Sequence, residues 1–216
     1  MLPPNTFIPI AEETGLIRDI GCWVTETACR QAQAWQAGGH QGFTLAVNLS
    51  PFQLTAGCAS RLLAILQRTG LRPECLEFEI TESLLVEDGG YALQQLAEIR
   101  EQVGMKIAMD DFGTGHSSLS QLKRLPISKL KIDRSFIRDL PDDSHSSAIV
   151  KAIVLMAHAL GLQVVAEGVE TAAQRRWLCD AGCDLLQGYL LGKPVPAQEI
   201  TRCLDTGKLR AGASHQ

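Results

Sequence analysis

The chain has 216 residues, of which 45% are hydrophobic and 20% are charged, and its formal net charge is -4. This length and composition suffice for one globular domain with a sizeable core. Because no run of lysine or arginine stands out, the composition argues against duplex nucleic acid and a membrane surface as partners. A small phosphate ligand fits this charge only if another group neutralises it.

The chain carries no targeting or membrane signal that we recognise. Its N-terminus, "MLPPNTFIPIAEETG", lacks the basic and apolar regions of a signal peptide, and no apolar run is long enough to cross a bilayer. Seven cysteines without a CxxC pair indicate reduced thiols rather than a disulfide framework. We therefore predict a cytoplasmic protein with one domain over residues 1–210 and a disordered tail over residues 211–216.

Six short apolar segments predict β-strands, at residues 44–48, 76–80, 106–110, 129–133, 163–167 and 184–188. Their nearly continuous apolar character is typical of strands that are buried on both faces. Segments with helical spacing lie between them. In "HSSAIVKAIVLMAHAL", for example, Ile149, Ile153, Met156 and Leu160 align on one face.

The helix ends carry recognisable caps. Gly70 and Gly104 each follow a helical pattern and precede a strand, as expected of glycines that end a helix in the left-handed conformation. Thr171 is placed to cap the helix that begins "AAQRRWL". A series of strand–helix units requires parallel pairing with right-handed crossovers, which an open doubly wound sheet and a barrel both satisfy.

Polar side chains recur at or near the carboxyl ends of the predicted strands. They are Asn48, Glu79, Asp110, Asp111, Lys131, Glu167 and Gln187. A barrel of parallel strands brings these ends together at one mouth, whereas an open sheet spreads them along a line. The pattern therefore favours an α/β fold of the TIM-like (β/α) barrel type.

Several of these residues also have an ordinary structural interpretation. Asn48 could cap the following helix, and Glu82 could belong to a capping box in "EITES". Lys131 could be a surface lysine whose stem covers apolar groups. Gln187 could satisfy buried backbone groups. These alternatives stay open for each residue taken alone.

The stretch "KIAMDDFGTGHSSL" places Asp110 and Asp111 side by side at the end of a buried strand, where their charges repel each other. Together with Glu79, Glu167 and an amide oxygen they would form an all-oxygen site of the kind that Mg²⁺ or Mn²⁺ prefers. A divalent ion would turn the repulsion into attraction. Two such ions about 4 Å apart could activate a water and stabilise the oxygens of a phosphoryl transfer.

Six motifs in this order resemble one family, the EAL domains that hydrolyse the bacterial second messenger cyclic di-GMP. The motifs are "VNLS", "EITES", "DDFGTGHSSL", "KIDRSF", "VAEGVE" and "QGYLLGKP". The resemblance covers nearly the whole chain. It implies a modified TIM barrel and a divalent-metal phosphodiesterase that converts cyclic di-GMP into linear pGpG. It also implies a homodimer, and it leaves open whether the parent protein has an upstream sensor or GGDEF domain.

The resemblance assigns metal ligands to individual residues. Asn48, Glu79 and Asp110 correspond to ligands of a first metal. Asp110 would bridge to a second metal, which Asp111 and Glu167 would also hold.

Other roles are implied in the same way. Lys131 would contact the attacking water, and Glu167 corresponds to the general base in some accounts of the family. Asp133 and Gln187 would lie at the substrate cleft. Glu82 is similar to the glutamate that anchors the Asp-Asp-Phe-Gly loop, which together with "KIDRSF" commonly forms the dimer contact.

The Glu-Ala-Leu motif of the family is not found in this chain, because Met1 stands where the loop after that strand should be. One glutamate ligand and one phosphate-binding arginine are therefore absent, and about six of eight barrel strands are present. We expect a barrel that is incomplete at the N-terminus. Three functions stay open: a phosphodiesterase impaired by this loss, a cyclic di-GMP receptor that does not cut its ligand, and a fragment that folds poorly.

Overall fold

The computed structural model describes residues 2–82, 84, 89–115 and 122–207. The tail predicted at residues 211–216 lies outside the described residues. Six strands form one parallel sheet in chain order. Their bounds are Leu45–Asn48 (β1), Leu76–Thr81 (β2), Lys106–Phe112 (β3), Lys129–Ile132 (β4), Gln163–Ala166 (β5) and Leu185–Leu186 (β6).

Helices precede, connect and follow these strands. Their bounds are Pro4–Glu13 (α1), Ile17–Ala37 (α2), Cys58–Thr69 (α3), Gly89–Glu98 (α4), Arg134–Ile137 (α5), Ser144–Ala159 (α6), Ala172–Asp180 (α7) and Ala197–Asp205 (α8). A π-helical turn, Ile99–Val103, continues α4. Within the described ranges, no helix combines the length and apolar character needed to cross a membrane.

The sheet curls into an incomplete parallel barrel. Among the described residues, β1 and β6 each pair with one neighbour only. Ala46 from β1 and Leu186 from β6 nevertheless line the same interior cavity, of about 390 Å³, as Glu77 and Lys131 from the middle strands. The predicted TIM-like barrel of six strands, incomplete by two, is therefore confirmed.

The core lies between the outer face of the sheet and the surrounding helices. Phe78 and Ile80 of β2 and Leu130 and Ile132 of β4 point outward and are fully buried. The inner faces of both strands carry charged residues that are themselves largely buried, so β2 and β4 are buried on both faces as predicted, although only their outer faces are apolar. Apolar and charged residues alternate there because one face packs against helices and the other lines the barrel.

The apolar face that the helical spacing aligns on α6 is only partly buried. Ile153 is buried, but Ile149 is 42% and Leu160 is 37% exposed, while Val150 and Val154 are buried instead. Apolar residues cover most of the circumference of this helix. Periodicity therefore does not select a face, and packing against the sheet does.

The predicted caps and free thiols are present. Thr171 and Gln174 form a capping box, in which the Thr171 hydroxyl accepts a hydrogen bond from the Gln174 backbone N–H at 3.1 Å. Gly70 and Gly104 end α3 and the π-helical turn with φ of 73° and 76°. All seven cysteines are free. Burial raises the pKa of the Cys29 thiol to about 11, so this thiol resists ionisation.

Candidate metal centre

The strand register brings the predicted polar residues to one end of the barrel. Asn48 pairs with Glu79 across β1 and β2, and Asp110 pairs with Thr81 across β2 and β3. Glu167 follows β5, and its backbone N–H donates to the carbonyl oxygen of Ile132 at 3.2 Å. The carboxyl ends of parallel strands thus meet at one mouth, as the sequence predicts.

An irregularity in β3 brings the two adjacent acids together. Neighbouring residues of a regular strand point to opposite faces. The register of β3 and β4 shifts between Met109 and Phe112, and Asp111 takes a left-handed φ of 53°. As a result, Asp110, Asp111 and Glu167 each offer a carboxylate oxygen within 4.8 Å of the others.

The Lys131 ammonium forms ion pairs with acidic residues in, or directly after, three strands. Its ammonium lies 2.6 Å from Glu167 Oε1, 2.8 Å from Glu79 Oε1 and 3.0 Å from Asp110 Oδ1. The side chain of Lys131 is only 4% exposed. Lys131 is thus a buried cation at the centre of the cluster, which excludes the interpretation as a surface lysine.

The pKa values in the cluster reflect burial and charge. Burial lowers the pKa of Lys131, but hydrogen bonds to Glu167 and Glu79 outweigh it, so that the pKa lies well above its usual value. Burial, followed by repulsion from Asp110 and Asp133, raises the pKa of Asp111. Burial also raises the pKa of Glu167, although Lys131 opposes this shift. The cluster therefore lacks positive charge even with Lys131 in place.

This donor set fits a divalent cation. Asp110, Asp111 and Glu167 supply only oxygen atoms, which hard ions such as Mg²⁺ and Mn²⁺ prefer. A cation would also relieve the repulsion that, together with the larger effect of burial, raises the pKa of Asp111. The geometry and the charge deficit therefore point to the same kind of ligand.

Asp111→Asn should stabilise the ion-free protein and weaken its binding of Mn²⁺. Asparagine tolerates the left-handed φ and removes a repelled charge. We expect Tm to rise by roughly 2 °C, since solvent screens a partly exposed carboxylate and 1 kcal/mol corresponds to about 2–4 °C in a domain of this size. Differential scanning calorimetry with a chelator measures Tm, and calorimetric titration with Mn²⁺ measures the affinity.

The pH dependence provides the control for this prediction. A carboxyl group whose pKa is raised in the folded state costs stability above its unfolded pKa, which is 3.8 for aspartate, and costs nothing below it. The gain in Tm for Asp111→Asn should therefore shrink as the pH falls toward about 4. A lower Tm for the variant at neutral pH would contradict the assigned repulsion.

Glu82 contacts the loop that follows β3. Its buried carboxylate accepts hydrogen bonds from the backbone N–H groups of Gly113 at 3.0 Å and Gly115 at 3.1 Å. A Cβ atom at Gly115 would lie 2.9 Å from the Glu82 carboxyl carbon, so the glycine permits the close approach. Residues 116–121 of this loop lie outside the described residues, and the anchoring role of Glu82 stays a prediction.

Of the three other predicted residues, Asn48 and Gln187 lie near the cluster without joining it, and Asp133 contacts Asp111 at its edge. Asn48 is exposed at the end of β1, and Gln187 lines the interior cavity with Glu79. Asp133 caps α5, where its carboxylate accepts a hydrogen bond from the Ser135 backbone N–H at 2.9 Å. Asp133 also lines a separate cavity of about 570 Å³ beside α5. Their roles as ligand and substrate contacts stay predictions.

Sequence reasoning missed a second ion pair inside the barrel. Lys129 Nζ lies 2.7 Å from Glu77 Oε1, and both side chains are almost completely buried. The signal was present in "LEFEI" and "KLKID", where charged residues alternate with apolar ones. An alternating pattern places Glu77 beside Glu79 and Lys129 beside Lys131 on the inner face.

A parallel α/β barrel with an acidic, lysine-linked cluster at the carboxyl ends of its strands belongs to the TIM-barrel class, whose functional sites lie at that end. Comparison with known proteins specifies the family. The EAL domain family model matches residues 1–194. The chain belongs to the EAL domain family.

The relatives agree with this assignment. The chain is 48% identical over 201 residues to MucR of Pseudomonas aeruginosa, a bifunctional diguanylate cyclase/cyclic di-GMP phosphodiesterase; this match covers 93% of the chain and 29% of MucR. The chain spans about a quarter to a third of the length of the curated relatives it matches.

Two solved structures resemble the chain closely. The phosphodiesterase of P. aeruginosa MucR in complex with cyclic di-GMP superposes with a TM-score of 0.86 at 48% identity, over 92% of this chain and 81% of that one. The Klebsiella pneumoniae BlrP1 complex with manganese and cyclic di-GMP superposes with a TM-score of 0.78 at 34% identity, over 89% of this chain and 48% of that one.

Proposed function

We propose that this chain is a divalent-metal-dependent phosphodiesterase domain that hydrolyses cyclic di-GMP to linear pGpG in the bacterial cytoplasm. The observation that carries the proposal is the cluster of Glu79, Asp110 and Glu167 around Lys131 at the barrel mouth. The names of MucR and of its cyclic di-GMP complex support the choice of substrate.

Two Mg²⁺ or Mn²⁺ ions, held by Asn48, Glu79, Asp110, Asp111 and Glu167, would supply positive charge to the substrate phosphate and acidify a water. The all-oxygen donor set and the unrelieved repulsion at Asp111 support this cofactor. Manganese in the BlrP1 complex is consistent with it.

Lys131 is suited to stabilise negative charge rather than to accept a proton. Its raised pKa keeps it protonated at neutral pH, so it cannot act as a base. A buried ammonium at the mouth can donate hydrogen bonds to a water or to the phosphate oxygens as their charge increases. This property supports the role that the family resemblance implies for Lys131.

Glu167 is suited to accept the proton of the attacking water. Burial raises the pKa of Glu167, and a carboxylate with a raised pKa is a better proton acceptor near neutral pH. Its Oε1 atom lies 2.6 Å from Lys131 Nζ, so the proton acceptor and the charge-stabilising cation adjoin each other. In the proposed reaction one water adds across one phosphodiester bond of the ring and yields pGpG.

The remaining predicted contacts concern the substrate and partners. Gln187 in the wall of the interior cavity and Asp133 beside Asp111 are proposed to bind cyclic di-GMP. We also propose a homodimer through the loop after β3 and the "KIDRSF" segment, and an upstream sensor or GGDEF domain in the parent protein. Sedimentation velocity of the purified chain measures the oligomeric state.

The proposed function is tested by incubating the chain with cyclic di-GMP and Mn²⁺ and separating the nucleotides by liquid chromatography. We expect pGpG to accumulate with Mn²⁺ and to be absent when a chelator replaces it. Cyclic di-GMP that binds tightly but stays intact would favour the receptor instead. Absence of both binding and turnover in a folded sample would contradict the proposal.

A further inference from the structure

A buried ion pair lies directly beneath the acidic cluster. Lys129 Nζ contacts Glu77 Oε1 at 2.7 Å, and the side chains are 11% and 3% exposed. Lys129 precedes Lys131 by two residues on β4, and Glu77 precedes Glu79 by two residues on β2. Side chains two residues apart on a strand share a face, so the two pairs form two adjacent layers inside the barrel.

This lower pair has no evident role in stability. Taking two charges out of water costs about as much as their attraction returns, and apolar residues of similar size often replace such pairs without loss. In addition, Glu77 Oε2 is buried and has no hydrogen-bond partner among the described residues. Only one of the two Glu77 carboxylate oxygens thus has a partner in the described part of the chain, although the residue lines the same cavity as Lys131. A buried carboxylate kept in this state indicates a functional constraint on Glu77.

We propose that Lys129, by neutralising Glu77, positions Lys131 in the upper layer, where the proposed function requires it. Two residues along a strand correspond to roughly 7 Å, which the flexible side chain of a lysine can span. Without Lys129, Glu77 would be a buried carboxylate with no counter-ion, one layer below Lys131. Lys131 would then turn downward to pair with it, away from Glu79, Asp110 and Glu167.

The displacement of Lys131 has two consequences. In the described part of the chain, the ion pairs of Glu79, Asp110 and Glu167 are all made with Lys131. Removing this cation leaves the cluster more negative, so Mn²⁺ should bind more tightly. At the same time the ammonium no longer reaches the substrate phosphate, so turnover should fall. Tighter metal binding with slower turnover is an unusual combination, and it identifies the mechanism.

The test uses Lys129→Met, which keeps the length of the side chain and removes its charge. We expect its Mn²⁺ affinity, measured by electron paramagnetic resonance titration, to rise about tenfold. This is the usual size of effect for a residue that orients metal ligands without binding the metal itself. We expect kcat for cyclic di-GMP to fall by at least about tenfold, with a smaller change in KM. The double variant Glu77→Gln/Lys129→Met removes both charges and should restore both quantities to within about threefold.

Repeating the measurement in a Lys131→Met background distinguishes an effect of Lys129 on the position of Lys131 from a direct effect of the Lys129 charge on the metal site. If Lys129 acts through Lys131, the effect of Lys129→Met on Mn²⁺ affinity disappears when Lys131 is already replaced. A long-range charge effect would persist in that background and would overturn the proposal, as would an unchanged Mn²⁺ affinity in Lys129→Met alone.

Two further controls keep the result interpretable. If Lys129→Met fails to fold, Glu77→Gln provides the test. In this variant Lys129 loses its partner and would join the upper cluster, which should weaken Mn²⁺ binding several-fold. Unchanged Mn²⁺ binding would overturn the proposal. Because Mn²⁺ binding is measured without substrate, the shifts stand even if no variant hydrolyses cyclic di-GMP. That result would refute the proposed function and leave the positioning role of Lys129 intact.

Discussion

Asp110→Asn should reduce Mn²⁺ binding by at least about 100-fold and abolish turnover of cyclic di-GMP. The Oδ1 atom of Asp110 accepts hydrogen bonds from Lys131 Nζ and from the Asp111 backbone N–H, both at 3.0 Å, so the carboxylate is held in one orientation. Loss of residues that merely support metal ligands already costs 10- to 100-fold. Loss of a ligand proposed to bridge two ions should cost more.

The measurement and its control follow from the geometry. Calorimetric titration with Mn²⁺ reports binding in the chain itself, independently of activity. Asp142→Asn is the matched control, because Asp142 is exposed on the surface next to α6. Mn²⁺ binding and turnover in Asp110→Asn equal to those of the control would refute the bridging role of Asp110.

A version of the chain preceded by a two-stranded hairpin with the Glu-Ala-Leu motif should hydrolyse cyclic di-GMP at least about 100-fold faster. Among the described residues, β1 and β6 pair on one side only, and the interior cavity of about 390 Å³ lies between them. The two strands of the hairpin would bring the number of strands to eight, the number of a closed barrel of this kind. They would also add the glutamate and arginine that the family resemblance implies.

A matched extension separates the two effects of the hairpin. If the glutamate of the added Glu-Ala-Leu motif is changed to glutamine, the barrel is closed without the additional ligand. We expect this control to raise Tm as much as the unaltered hairpin while leaving turnover near that of the original chain. Equal turnover of the chain and its extended version would show that the proposed ligand set is wrong.

The strands and their convergence were predictable because they depend on local signals. All six predicted strands are present, and their bounds differ from the prediction by no more than two residues at either end. Parallel strands place their carboxyl ends on one edge of the sheet, and a barrel gathers that edge into one mouth, which is why Asp110, Asp111 and Glu167 could be expected at one place. Capping at Thr171 was equally predictable, since it involves residues only three apart.

The contacts inside the barrel were not predictable in the same way. Whether Lys131 reaches three carboxylates depends on the register and curvature of four strands. The left-handed φ of Asp111 arises where β3 shifts against β4, a feature that no pattern in "MDDF" reveals. The buried face of α6 was also ambiguous, because its apolar residues surround most of the helix.

The sequence by itself determined the alternation of strands and helices, the parallel barrel and the collection of acidic residues at its mouth. Hydrophobic periodicity and chain connectivity suffice for the alternating elements, and the polar residues at the strand ends favour the barrel over an open sheet. Only the tertiary structure decided that Lys131 is the counter-ion of the cluster and that Lys129 and Glu77 form a second layer beneath it. The reason is that these ion pairs join residues far apart in the chain, whose distances exist only once the sheet has curled.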